Sequence, residues 1–204
     1  MKKILGVFLT ILLSFSLVSC GEGKAEDVVR QSFKEIKEEK FENLISSSDL
    51  SKEELAEFKK YEAKIKELEP SFKIVQDTFK GEIISSEISE DKKTAVVKTK
   101  VTAVDFNVLF SDVMSDIFSQ AFSKAFQGEL KEGEDISDEE ATNMIIDSIK
   151  KALDKDNVKT ATNEIDIKLE KKDSEWKIVD EEDIMLQMFN LDANALKDLT
   201  DIGE

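Results

Sequence analysis

The side chains able to do acid–base or nucleophilic chemistry are unevenly stocked in this sequence. Aspartate and glutamate total 45 against 29 lysines and arginines, there is one cysteine, and there is no histidine. Without an imidazole, Ser-His-Asp and Cys-His nucleophiles, a histidine general base and nearly every zinc site are excluded. No phosphate-cradling glycine loop, EF-hand loop or dinucleotide fingerprint is present, so neither a cofactor nor a metal is expected. What remains is carboxylate chemistry. Asp105, closing a predicted strand, and Asp166, within another, are the least surface-like by position. If either faces a cavity, burial raises its pKa and makes it a general base, with Tyr61 or a lysine as partner. The plainer alternative is that Asp105 caps the helix after it and Asp166 points to solvent.

The thiol stands in a different setting. Lys2 and Lys3 precede an almost continuous apolar run from Ile4 to Phe15, then Leu17-Val18-Ser19-Cys20, and then the polar Gly21-Glu22-Gly23-Lys24. This is the layout of an export signal, and the run is shorter than the about 20 apolar residues a transmembrane helix needs. Leu17-Val18-Ser19-Cys20 resembles the lipobox of bacterial lipoproteins: an aliphatic residue, a small or β-branched residue and a small residue before cysteine. The resemblance implies that residues 1–19 are a signal peptide cut off before Cys20. It also implies that the thiol carries diacylglycerol and that the new amino group can take a further chain such as palmitate. Two or more acyl chains make a stable anchor where one does not. The protein is then held on the extracytoplasmic face of a membrane, at the cell surface or on the periplasmic side, with residues 20–24 as lipidated cysteine and short tether. No thiol is left downstream for a disulfide, so stability rests on packing.

Residues 25–204 are enough for one domain with a real core, and no Pro/Gly/Ser-rich linker divides them. The formal net charge of −16 disfavours nucleic acid as a partner, since phosphate neutralisation needs a basic footprint. Anionic lipid repels such a chain too, which leaves attachment to the acyl chains. The charge keeps a surface protein soluble; alternatively, acidic faces recruit a basic partner or bind divalent cations loosely, though no ligand-spaced motif marks a site.

Apolar spacing predicts helices from about Ala25 to Leu44, through Val28, Val29, Phe33, Ile36, Phe41 and Leu44, and from the capping box Ser51-Lys52-Glu53-Glu54 through Leu55, Phe58, Ile65 and Leu68 to Pro70. Leu50 and Leu55 are placed to staple the second. Phe79 to Ile88 and Thr94 to Val104 read as a hairpin around residues 89–93, with Ala95, Val97, Thr99, Val101 and Ala103 on one face. Phe106 to Phe126 reads as a long helix. After a loop from Gly128 to Gly133, a second capping box at Ser137 opens a helix through Met144, Ile145, Ile149 and Leu153 that pairs with it. Strands from about Val158 to Lys171 and Trp176 to Val179 follow, then a short helix through Ile184, Met185, Met188, Phe189 and Leu191, with Asp192 capping a last turn through Leu196 and Leu199.

This order predicts an α+β fold: an antiparallel sheet of about four strands packed against helices, with a helical hairpin between strands two and three. The leading helices, the four strands and the segment from Leu169 to Val179 with its Trp176-Lys177-Ile178 look like the cystatin-like or nuclear-transport-factor-two-like domains of bacterial lipoproteins. That resemblance implies a cone of sheet and helix that often encloses a cavity.

The apolar residues of Phe106 to Phe126 cover roughly 200° of arc, wider than an ordinary surface helix. The stripe is core against the sheet, the wall of a pocket for an apolar ligand, or a face for oligomerisation or a partner. A helix lying in a membrane surface fits less well, because Lys124 is its only basic residue. Phe110, Phe118, Phe122 and Trp176 are the candidate ligand-binding residues. The expected function is a non-enzymatic module binding a small apolar molecule or an envelope protein; a carboxylate enzyme and a purely structural or antigenic surface protein are the alternatives. Oligomeric state is not readable from the sequence. Cys20→Ala is predicted to abolish labelling by a radioactive fatty acid and leave precursor or soluble exported protein; normal cleavage with unchanged membrane fractionation refutes the lipobox reading.

Overall fold

The structure is a computed structural model that describes residues 20–21, 24–40, 52–127 and 136–192. The expected signal peptide, Ser51 of the capping box and its Leu50 staple, Phe41 and Leu44, the Gly128 to Gly133 loop and the last turn through Leu196 and Leu199 lie outside these residues. Four strands, β2 (Lys80–Ile88), β3 (Thr94–Val104), β4 (Thr160–Lys172) and β5 (Glu175–Ile178), form an antiparallel meander. A two-residue strand, β1 (Cys20–Gly21), pairs along the outer edge of β5 through Cys20↔Lys177 and Gly21↔Trp176. Cys20 and Gly21, the start of the expected tether, are therefore extended and paired.

The central ladder runs from Thr94↔Glu170 to Val104↔Thr160. Because side chains alternate across a strand, Ala95, Val97, Thr99, Val101 and Ala103 share a buried face with Ile165, Ile167 and Leu169, while Lys100, Glu164, Asp166 and Lys168 face water. In β2 the register shifts between Ile83 and Ser85. The extra residue, Ile84, changes the parity, so Ser86 rather than Ser85 lies opposite buried Val97. Such a bulge also blunts an edge strand against further pairing. At the β4–β5 turn, Asp173 and Ser174 both take positive φ, 51° and 72°, the twist that two-residue hairpin loops require.

Helix α1 (Ala25–Glu38) crosses the apolar face, burying Val28, Val29, Phe33 and Ile36 and touching β1, β2, β3 and β5. It ends earlier than the apolar spacing predicted. Buried Gln76 explains the ending: its side-chain amide donates to the carbonyls of Ile36 (3.1 Å) and Glu39 (2.7 Å), acceptors a helix end otherwise leaves orphaned. Gln76 belongs to an element the sequence reading missed. After α2 (Lys52–Lys66), Pro70 does not simply close a helix; it sits in the first turn of α3 (Glu69–Thr78), where a missing N–H costs nothing. Phe72, Val75 and Phe79 face inward there, and the strand begins at Lys80.

Between β3 and β4 the chain forms α4 (Phe106–Phe126) and α5 (Asp138–Ala152), which pack on each other. The final helix, α6 (Glu181–Met188), lies against β4 and β3, and Asn163 of β4 donates its side-chain amide to the Gln187 carbonyl (2.9 Å). A chain of aromatic rings ties these parts together: Phe33 to Phe79 (5.6 Å between centroids), Phe79 to Phe189 (6.1 Å), Phe189 to Phe106 (4.9 Å, stacked) and Phe106 to Phe110 (6.1 Å). Among the described residues no buried side-chain polar atom lacks a partner, and no helix is long and apolar enough to cross a membrane.

Gly81 permits the contact between α1 and the sheet, since a Cβ there would collide with the ring of buried Phe33. Gly81→Val should therefore cost about 1–3 kcal/mol through overpacking, lowering the urea midpoint with little change in slope; an unchanged midpoint would mean that the ring is free to move aside.

Candidate functional site

Helix α4 starts in the core and ends in water. Asp105 caps it, accepting from the Val108 amide (3.1 Å) and from the Asn190 side chain (2.8 Å). Phe106, Leu109, Phe110, Val113 and Ile117 are buried. The row beginning at Met114 is not: Met114 is 40% exposed, Phe118 73%, Phe122 63% and Phe126 84%. Seven large apolar side chains are exposed among the described residues, and these are four of them, so the exposure is concentrated rather than scattered.

The spacing of four makes this row a ridge that drifts through about 120° over its length. Asn107, Ser111, Ser115 and Ala125 share that arc. The charged residues of α4, Asp112, Asp116 and Lys124, all lie outside it. Asp116 is clamped to α5: it accepts from Ser148 Oγ (2.8 Å) and Gln120 Nε2 (2.8 Å) and pairs with Lys151. Lys124 pairs with Glu140 of α5. Phe122 and Phe126 stack in water at 6.3 Å.

The residues nominated from the sequence divide into two pairs. Phe110 is 6% exposed and Trp176 3%, both packed in the core, with Lys171 Nζ 5.4 Å from the indole ring. Phe118 and Phe122 are outside, on the ridge. The fold does not bring the four into one cavity. Depressions lined by Asn107, Asn163, Leu186 and Asn190, by Asp112, Asp116, Ser148 and Lys151, by Glu39, Phe72 and Gln76, and by Lys98, Asp166, Asp180 and Asp183 contain none of them.

The carboxylates nominated for catalysis are also apart. Asp166 faces water opposite Lys98 in the ladder. Asp105 lies seven residues beyond Lys98, more than about 20 Å along the strand. Tyr61 is buried on α2 under Lys60. A different carboxylate, Glu181 in the first turn of α6, has its pKa raised by burial. Among the described residues no acidic group of three or more is arranged to hold a metal. Met114 and Phe126, absent from the nominated set, complete the ridge; their spacing of four from Phe118 and Phe122 was the available signal.

The chain matches no protein-family model, no curated protein and no solved structure.

The α4–α5 clamp makes a pH-dependent contribution. The Lys151 ammonium, then the Ser148 and Gln120 hydrogen bonds, hold the Asp116 pKa below the ordinary aspartate value. Stability from this pair is complete above the unfolded-state pKa, near 3.8, and is lost as pH falls through the lower folded-state value. Asp116→Asn should destabilise the protein at neutral pH by about 1–2 kcal/mol. The gap from wild type should close as pH drops below that range; a gap independent of pH would show that the carboxylate charge contributes nothing.

Proposed function

We propose that this chain is a lipid-anchored extracytoplasmic domain, held on a membrane through Cys20, which works as a non-enzymatic protein-binding module through the exposed ridge of α4. The observation that carries the binding role is the exposure of Phe118, Phe122 and Phe126 on a helix whose Asp116 and Lys124 are turned to α5. Folding gains from burying aromatic surface, so a row of rings left in water beside a well-filled core is what a partner contact requires. A protein surface fits this convex ridge better than a small apolar molecule, which needs a concave site to enclose it. The anchor rests on the match of Leu17-Val18-Ser19-Cys20 to the lipobox.

The likeness to cystatin-like and nuclear-transport-factor-two-like domains belongs to the same proposal. It is supported by the four-strand meander, by α1 across its apolar face and by Trp176-Lys177-Ile178 in the closing strand. On this reading α4 and α5 are an insertion between the second and third strands of that layout, and the insertion carries the binding face.

A photo-activated cross-linker placed at Phe122 of the full chain in intact cells tests the binding role, with the same group at Lys100 on the wet sheet face as control. Protein adducts at Phe122 several-fold above those at Lys100 are expected. Equal yields at the two positions, or none at either, would remove the ridge as a binding face.

A further inference from the structure

The occupant of the ridge can be narrowed further, on the reading that it is a protein-binding face. Beside Met114, Phe118, Phe122 and Phe126 runs a second row at the same spacing, Ser111, Ser115, Ser119 and Ser123, every member exposed. Large side chains in one row and small ones in the next make a tall ridge beside a deep groove. Helices pack by setting such ridges into such grooves, rows of residues four apart being the commonest pairing. Within that row Ser119 is inexpensive to cover, since its Oγ already donates to the Ser115 carbonyl (2.8 Å).

We propose that the ridge docks on the ridge of a second copy of this chain, the two α4 helices running antiparallel about a two-fold axis near residue 120. Such an axis brings Phe118 beside Phe122 of the second copy and Met114 beside its Phe126, each ring row lying in the other's serine groove. The surface is self-complementary, as an interface between identical subunits must be. Charge points the same way. Two chains of net charge −16 repel, and the ridge with Ser111 and Ser115 is an uncharged strip of α4 through which they can touch, with Asp112 at its edge. Area agrees as well. At about 200 Å² for a phenylalanine, the three exposed rings from both copies supply on the order of 900 Å², and Met114 and Ala125 carry the total to the ~1,000 Å² a specific interface needs. Anchoring both copies in one membrane raises their effective concentration and favours the contact further.

The test uses the full, membrane-anchored chain expressed in two differently tagged forms, with the cross-linker at Phe118. The expected adduct carries both tags and maps by mass spectrometry to the segment around Phe122 of the second copy. Its yield should drop at least ten-fold with Phe122→Ser or with Phe126→Ser, and stay unchanged with Val96→Ser, an exposed apolar residue elsewhere. In isolated membranes the yield should rise with salt, because screening relieves the repulsion of two acidic chains. An adduct with a different protein overturns the self-association and leaves the binding face standing. An adduct within one chain, to residues 193–204, overturns it by making the chain's own tail the cover. No adduct at all overturns both.

Discussion

The stacking of Phe106 on Phe189 is the contact on which the arrangement of this protein depends. The rings lie 4.9 Å apart, and the Phe106 amide donates to the Phe189 carbonyl (3.0 Å). One contact thereby joins the first residue of α4 to the end of α6, elements 83 residues apart in sequence. Phe79 and then Phe33 extend the ring chain to the α3–β2 junction and α1. Asn190 reaches back to Asp105, which caps α4, and Asp192 donates its amide to Asn107 (3.1 Å). The direction in which α4 leaves the core is therefore set by apolar packing and hydrogen bonds together.

Downstream of that junction α4 is held on one side, by the buried Val113 and Ile117 and by polar contacts to α5. Asp116, Gln120 and Lys124 meet Ser148, Lys151 and Glu140 of α5. α5 is held in turn by α2, where Lys64 meets Glu139 and Asn143, and by Glu67 just beyond it, which meets Lys150. A helix held along one side must present its other side to water, and there α4 carries phenylalanine. Local sequence and tertiary placement disagree at this point, which is where function is expected to show.

Much of the fold was legible because its signals are local. The alternation of Val97, Thr99 and Val101 with Lys98 and Lys100 marks a half-buried strand whatever lies above it. Ser137 with Glu140 marks a helix start, and the Ser137 hydroxyl does accept from the Glu140 amide (3.3 Å). Pro70 was harder, because proline both stops one helix and suits the first turn of the next; what decided between them was whether Phe72 and Val75 had a sheet and α1 to pack against. The bulge at Ile84 shows only in the pairing of β2 with β3, and the early end of α1 involves Gln76, which is no sequence neighbour of Ile36 or Glu39.

The sequence by itself determined that histidine chemistry and an intrachain disulfide are absent, that the sole thiol is Cys20, that the chain is strongly acidic, and that the fold is α+β with a long phenylalanine-rich helix. Only the tertiary structure decided which phenylalanines are core. Phe110 and Phe118 are chemically identical and eight residues apart on one helix, yet they are 6% and 73% exposed. Helical period states which residues share a side. Which sides are covered depends on where distant elements stop, and here the Phe106–Phe189 junction and α5 cover one side of α4 and leave the other in water.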